Sequence, residues 1–302
     1  MKTEQYIRDL ESEARRWDVP KRYLRLYVYR QGIKDPLWIL TEATRVKLNT
    51  VAAVTGALTE ANIVISGLKV NQMFALATNS TQWVKNWVQN RVIVEAGTYD
   101  KHCQIFAGTI MEAKPQLLNA DYTITLKAMT GFFSMTRPVS YSFAGAVPVT
   151  TIAKRVAADN GLTFVDALGD NSVTISDFTA HDSNMPEIVR ALAQATGCDI
   201  YEDLGRLVVK KRGEAAPKFS KEKITSDMLV GIPEPTQWGC KIQTMLNAGP
   251  RLGQTIKLQS AKYPQFESYN LFLQTKAHSI DTFGADWYTT YELLRSGLGF
   301  AK

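Results

Sequence analysis

The side chains able to do covalent or metal chemistry are few and scattered: three histidines, His102, His181 and His278, and three cysteines, Cys103, Cys198 and Cys240. His102 adjoins Cys103, but neighbours on a strand point to opposite faces, so the pair shares a metal only across a bulge. His181-Asp182 precedes a predicted helix, where the acid reads as a cap. His278 and Asp281 are close enough to hydrogen-bond across a turn but have no third donor nearby, and zinc sites need three or four convergent ligands. No CxxC, GxGxxG, GxxxxGK[ST], HExxH or GxSxG occurs, so phosphate loops and the familiar nucleophile elbow are excluded. Glu202 with Asp203, or Glu234 near Trp238, meets the minimum for a glycosidase, which needs two suitably spaced carboxylates, although acids beside turns are usually solvated. Lys210-Lys211-Arg212, followed by Lys218, Lys221 and Lys223, has the charge to track a phosphate backbone. The same run reads as a solvated hairpin end and linker, because Tyr201 and Phe219 flank it without regular interleaving. The residues thus assign no catalytic, cofactor-binding or metal site, and no cofactor.

What must position these groups is mostly strand. Tyr6, Leu10, Ala14 and Trp17 recur at helical spacing over residues 1–18, with Glu4, Arg8, Glu11, Glu13 and Arg15 on the other face; Pro20 ends that helix. It reads either as packed on its own domain or as an arm clipped onto a neighbouring subunit. From Arg22 the period becomes two, with Leu24, Leu26 and Val28 on one face and Tyr23, Arg25, Tyr27 and Tyr29 on the other. Further strands are predicted over Leu37–Leu40, Arg45–Asn49, Ile63–Leu68, Arg91–Ala96, Gln104–Ala113 and Tyr122–Ala128. One helix, Gln72–Val88, carries Trp83 and Trp87 at i, i+4. Many short strands with one helix point to an antiparallel barrel.

Residues 148–164 and 184–200 align without gaps at an offset of 36, pairing Ile152 with Ile188, Val156 with Leu192, Gly161 with Gly197 and Phe164 with Ile200. Each copy predicts a short helix, a left-handed glycine and an apolar strand, and two copies are too few for a solenoid, so they should pack as one small α/β unit. Thr150 or Thr151, and Asp182 to Asn184, are the expected N-caps. Asp203-Leu-Gly205 should turn a hairpin, with Leu207 to Val209 returning. Beyond Gly213, strands are predicted over Lys241–Leu246, Gln254–Ser260, Tyr269–His278 and Trp287–Leu293. The fold class is α+β, mainly β: two antiparallel β barrels flanking a small duplicated α/β unit. Its expected parts are a helical arm (1–21), a first barrel (22–138), a middle unit (139–213) and a second barrel (214–302).

Composition agrees. The chain has 302 residues, 45% of them hydrophobic and 21% charged, which excludes a mainly disordered chain or a polytopic membrane protein. The net charge of +6 is local: residues 1–48 hold 11 basic and 7 acidic side chains, and residues 201–223 hold 7 and 4. Such a surplus is too small to argue nucleic-acid binding by itself. Three widely spaced cysteines fit a reducing compartment. The start lacks an apolar signal core, so synthesis and assembly in a cytoplasm are expected. Val51–Leu68 is interrupted by Thr55, Glu60 and Asn62, so no membrane anchoring is expected.

Four stretches recur in a suggestive order. The first is Arg91-Val-Ile-Val-Glu-Ala-Gly97 followed by Ile105-Phe-Ala-Gly108-Thr-Ile110; the second is Thr151 to Ala157 with Gly161-Leu-Thr-Phe164. The third is Asp182 to Gly197 with Asp203 to Val209. The last comprises Gly239 to Leu246, Leu252 to Ile256, Tyr269 to His278 and Asp281-x-x-Gly284-x-x-Trp287. Together they resemble the central baseplate-hub proteins of phage tails, the family of late-control proteins and contractile-tail hubs. The resemblance implies two tail-tube-like barrels and no catalysis. It implies a homotrimer that joins a hexameric tail tube to a trimeric spike, contacts the tape-measure protein and leaves a lumen for DNA, in a virion tail assembled in the host cytoplasm. Rival readings are another tail part such as a tube or distal tail protein, a tail-associated cell-wall hydrolase, and a nucleic-acid binder.

Overall fold

The computed structural model describes residues 21–55, 58–80, 90–118, 121–131, 138–169 and 172–297. The helix predicted over 1–18, and the part of Gln72–Val88 holding Trp83 and Trp87, lie outside those residues.

In the first β region, β1 (Arg22–Tyr29), β2 (Trp38–Thr41), β3 (Arg45–Ala53) and β4 (Glu60–Ser66) precede helix α1 (Val70–Ser80). Then come β5 (Arg91–Thr98), β6 (His102–Leu118) and β7 (Asp121–Met129). Leu24, Leu26 and Val28 are buried while Tyr23, Arg25, Tyr27 and Tyr29 are half-buried, so alternation decides which face turns inward. Ile63 and Ile65, Val92 and Val94, and Ile124 and Leu126 repeat the pattern and meet in one core, over which α1 lays Met73 and Leu76. Gly108 has a packing reason: a Cβ there would lie 2.6 Å from the Phe106 ring and 2.8 Å from the Met129 carbonyl, so only glycine lets β7 approach so closely.

The middle region opens with β8 (Val139–Pro148) and α2 (Val149–Asp159), followed by β9 (Thr163–Ala167) and β10 (Thr174–Ser183). Next are α3 (Met185–Thr196), β11 (Cys198–Glu202) and β12 (Arg206–Lys211). Both copies of the repeat have the expected form, with Gly161 and Gly197 at φ 67° and 64°, a conformation that costs glycine little. Their strands lie on either side of β12, β9 parallel and β11 antiparallel to it, and their helices share one core through Ile152, Val156, Ile188 and Leu192. Asn184 is the cap of α3, its side chain taking the Glu187 N–H at 3.1 Å while Glu187 takes the Asn184 N–H at 3.0 Å. The expected Thr150 and Thr151 caps are not realised: α2 already starts at Val149, behind Pro148, whose fixed φ suits a helix entrance. Among the described residues, strands β8 and β10 form a two-stranded sheet of their own.

In the second β region β13 (Glu222–Ile224), β14 (Glu234–Pro235), β15 (Gly239–Met245) and β16 (Thr255–Leu258) lead to β17 (Leu271–Asp281) and β18 (Trp287–Arg295). The two β regions are joined edge to edge, because β3 pairs with β17 from Lys47↔Asp281 to Ala53↔Thr275. Hydrogen bonding therefore runs in one path, β14-β15-β18-β17-β3-β4-β7-β6-β5-β1-β2, with β16 and β13 attached beside β17. Strands β17 and β18 serve two cores: Ile280 and Trp287 enter the first, while Leu271, Leu273, Tyr291 and Leu293 enter the second.

Candidate functional site

The features that distinguish this chain are the junctions between its three regions. At the β17–β18 turn, the Asp281 carboxylate accepts the N–H groups of Phe283 and Gly284, each at 3.0 Å, and pairs with Lys47 at 3.3 Å. Burial raises the affinity of this carboxyl for a proton, but the two amides and Lys47 outweigh it and hold the pKa below the ordinary value. Arg22, at the start of β1, donates to the carbonyls of Asp281 at 3.1 Å and Gly284 at 2.7 Å, with its guanidinium 5.1 Å from the Trp287 ring centre. Thr282 takes the Val46 N–H at 2.9 Å and gives its hydroxyl proton to the Thr44 carbonyl at 2.7 Å. The Asp-Gly-Trp stretch is thus a lock between both β regions, and His278 is not part of it. His278 is buried and meets the Thr289 hydroxyl at 3.0 Å, and burial holds its imidazole well below the ordinary pKa.

A second junction holds part of the basic run. Lys210 is fully buried, its ammonium donating to Asp199 Oδ2 at 2.7 Å, the Glu214 carbonyl at 2.8 Å and the Lys211 carbonyl at 3.2 Å. It also lies 4.6 Å from the centre of the Phe272 ring on β17. Lys211 pairs with Glu214, Arg212 with Asp199 at 3.5 Å, and Lys218 with Asp166 at 3.6 Å. The expected solvated hairpin end is corrected at Lys210, which the return strand carries into the seam between the α/β unit and the second β region; Lys211, Arg212 and Lys218 stay about half-exposed in their ion pairs. Burial lowers the Lys210 pKa, against the pull of Asp199.

The other chemically capable residues do not converge. His102 is exposed and stacks on Tyr23 with ring centres 3.9 Å apart; Cys103 is exposed, while Cys198 and Cys240 are buried and free. His181 and Asp182 are exposed on β10, where the Asp182 N–H donates to Ser140; Asp182 does not cap α3, because Asn184 holds that position. Glu202 takes the Gly205 N–H at 2.7 Å and Asp203 pairs with Arg206 at 3.3 Å, each thereby holding the β11–β12 turn. Exposed Glu234 faces Lys241 at 4.0 Å. Among the described residues no three His, Cys, Asp or Glu side chains form a metal-binding group, and no helix is long and apolar enough to cross a membrane.

Arg22 and Lys276 were not foreseen. Arg22 acts on residues about 260 positions away, and nothing in its local sequence marks it. Lys276, buried within β17, donates to the Pro250 carbonyl at 3.0 Å; its position two residues from His278 and four from Ile280, on the inward face of the strand, is the signal in the sequence.

Clefts lie at the junctions. One of about 770 Å³ separates the β1–β2 loop from the α/β unit and is lined by Arg30, Lys34, Arg91 and Glu202 among others. The second, about 950 Å³, lies between the β5–β6 turn and the second β region, and Lys101, Cys103, Arg206, Met228, Met245 and Arg251 line it.

Comparison with known proteins places this architecture. The family model described as baseplate hub gp41 matches residues 31–292. No curated protein sequence matches the chain. Among solved structures, the 43 kDa tail protein of prophage MuSo2 from Shewanella oneidensis superposes with a TM-score of 0.60 at 10% identity, covering 90% of this chain and 96% of that one. An Escherichia coli protein, described as a component of the type VI secretion system with structural similarity to T4 bacteriophage tail proteins gp27 and gp5, gives 0.59 at 9% identity over 90% and 77% of the two chains. The tail protein of Neisseria meningitidis MC58 gives 0.56 at 11% identity over 91% and 97%. At such identities the likeness establishes the fold.

Proposed function

The chain belongs to the baseplate hub gp41 family, and from that premise we propose that it is the central hub of a phage tail baseplate, a homotrimer joining the hexameric tail tube to the trimeric spike. The supporting observation is the joined pair of β regions, seven strands continuing into the second set through β3 and β17. Three chains with two β faces each offer six faces to a six-fold tube and still obey three-fold symmetry toward a spike. Heterologous contacts that close at three subunits make such a ring.

In this reading the function is assembly without catalysis. One ring face docks the tube and the other the spike, the tape-measure protein is a further contact, and the lumen passes DNA. In this division residues 22–138 and 214–302 are the two tube-like parts and 139–213 a spacer between them. The internal matching of Lys210, Lys211, Arg212 and Lys218 supports a conduit role, since cations already paired within the chain offer less grip on phosphate. The site of action is the virion baseplate, after assembly in the host cytoplasm.

Counting copies tests the proposal. Native mass spectrometry of the purified protein, or imaging of the tail tip, should give three copies per ring, and six would overturn it. In a cell-wall clearing assay the protein should be inactive; clearing would move the reading to a tail-associated hydrolase.

A further inference from the structure

We propose that copies of this chain join head to tail, the β17–β18 turn of one copy seating its Phe283 in a pocket of about 600 Å³ between α3 and β17 of the next. The contact deepens the hub reading and rests on it only for the closing of the ring at three copies.

The turn is built to present a side chain. Asp281 accepts two of its amide protons, Arg22 holds two of its carbonyls, and Thr282 ties it to Val46 and Thr44. Phe283, within that clamp, is nevertheless 64% exposed, the most of any large apolar side chain among the described residues. Single exposed apolar residues are common, but a clamped turn loses little further freedom when its tip is buried, which is what a docking anchor requires. Asp286, exposed on the same turn, has no ion-pair partner among the described residues.

The pocket offers the complement. Val54, Val189, Ile200 and Phe272 on its walls are buried and Leu294 is half-buried, an apolar concavity of the kind that takes an aromatic anchor. Arg190, an exposed residue of the lining, has no ion-pair partner among the described residues. Arg212, on the same lining, is already engaged by Asp199 and by the Ala193 and Cys198 carbonyls, and Asp199 is held by Lys210. A free aromatic beside a free acid thus matches an apolar hole beside a free arginine.

Position assigns the two halves to different copies. Phe272 in the pocket and Asp281 at the turn stand nine residues apart on β17, about 30 Å at 3.3 Å each, so the turn does not reach the pocket of its own chain. Knob and hole at opposite ends of one strand make a heterologous contact, which repeats from copy to copy and either closes into a ring or runs on as a filament.

Disulfide trapping tests the contact in the full chain with the exposed Cys103 replaced by serine. Carrying both Phe283→Cys and Gln194→Cys, which lies on the pocket lining, the chain should form disulfides between copies under mild oxidation. Peptide mapping should place them between the turn and either position 194 or Cys198, which also lines the pocket. No linkage, or linkage between two copies of the same turn, overturns the proposal. Covalent species that stop at three agree with the hub reading; species that stop at six, or run on, support this contact while overturning the trimer. With the native cysteines in place, Phe283→Ser should weaken self-association about tenfold or more in sedimentation velocity, the scale of an aromatic anchor, and leave the urea midpoint unchanged. Asp286→Arg should weaken it about threefold, and adding Arg190→Asp should restore it. Association unchanged in Phe283→Ser, or no restoration by the charge exchange, refutes the pairing of this turn with this pocket.

Discussion

Replacing Asp199 by asparagine should cost more stability than removing the lysine it faces. Asp199 Oδ2 lies 2.7 Å from the Lys210 ammonium, which is fully buried, and the aspartate side chain is only 16% exposed. Breaking a buried pair by deleting one partner typically costs about 3–5 kcal/mol, because a charge stays behind in a poor solvent. Two carbonyls still solvate Lys210 in Asp199→Asn, and Asp199 is partly wet, so we expect about 2–3 kcal/mol. Lys210→Met removes the buried cation and fills its volume; Asp199 keeps Arg212 at 3.5 Å, and the expected loss is about 1 kcal/mol. The double variant should be no worse than Asp199→Asn alone, because the stranded charge is gone.

Urea unfolding followed by both far-ultraviolet circular dichroism and tryptophan fluorescence would measure these differences, coincident transitions licensing a two-state treatment. Dependence on pH adds a signed check. Burial lowers the folded-state pKa of Lys210 from its ordinary 10.5, so between the lowered value and 10.5 the unfolded chain holds more protons. Stability of the parent relative to Lys210→Met must then rise as pH climbs through that window. A loss below about 0.5 kcal/mol in Asp199→Asn, the range of ordinary surface substitutions, or a double variant as costly as the two singles summed, would refute the buried-pair reasoning.

Other outcomes follow from the same structure. Tyr141 donates to Asp159 at 2.9 Å, and burial first, then that hydrogen bond, pushes its pKa up to about 12; ultraviolet titration of the parent minus Tyr141→Phe should show a phenol ionising near that value. Since the unfolded phenol ionises near 10, this contribution to stability is present below pH 10 and disappears toward pH 12. Burial also pushes the Cys240 thiol up to about 12, so Ellman's reagent at pH 8 should leave Cys240 unmodified until urea unfolds the chain, and rapid native reaction would contradict its burial. Asp281→Ala should cost about 2–3 kcal/mol by freeing two amides and a lysine. Gly284→Ala, whose Cβ would fall 2.6 Å from Asp281 Oδ2, should cost about 1–3 kcal/mol; a melting temperature unchanged in both variants would show that the turn is not a lock.

Much of the fold was legible because alternation and burial agree in strands such as β1 and β3, and because the 36-residue repeat exposes both helices of the middle region. Strands β8 and β10 were invisible for a physical reason. Their pairing slips at Ser176/Phe178 and Ala180/Ser183, where Asp177 and Asp182 take φ 52° and 48°, so bulges break the period of two that sequence reading depends on. The β3–β17 seam joins residues more than 200 positions apart and leaves no local trace. Pairing of Asp199 with Lys210 was available in principle: a turn at Asp203-Leu-Gly205 places those residues directly opposite one another on the hairpin. Reading the lysines as a charge run rather than by hairpin register concealed it.

Strands β17 and β18 run through both cores, and this fixes how the molecule bears load. To draw the two β regions apart along β17, the pairing with β3 from Lys47↔Asp281 to Ala53↔Thr275 would have to slide all at once, loaded in shear, instead of opening one bond at a time like a zipper. The lock of Arg22, Thr282 and Asp281 pins one end of that seam. A force applied along the strands to one β region is therefore carried to the other through the paired strands β3 and β17.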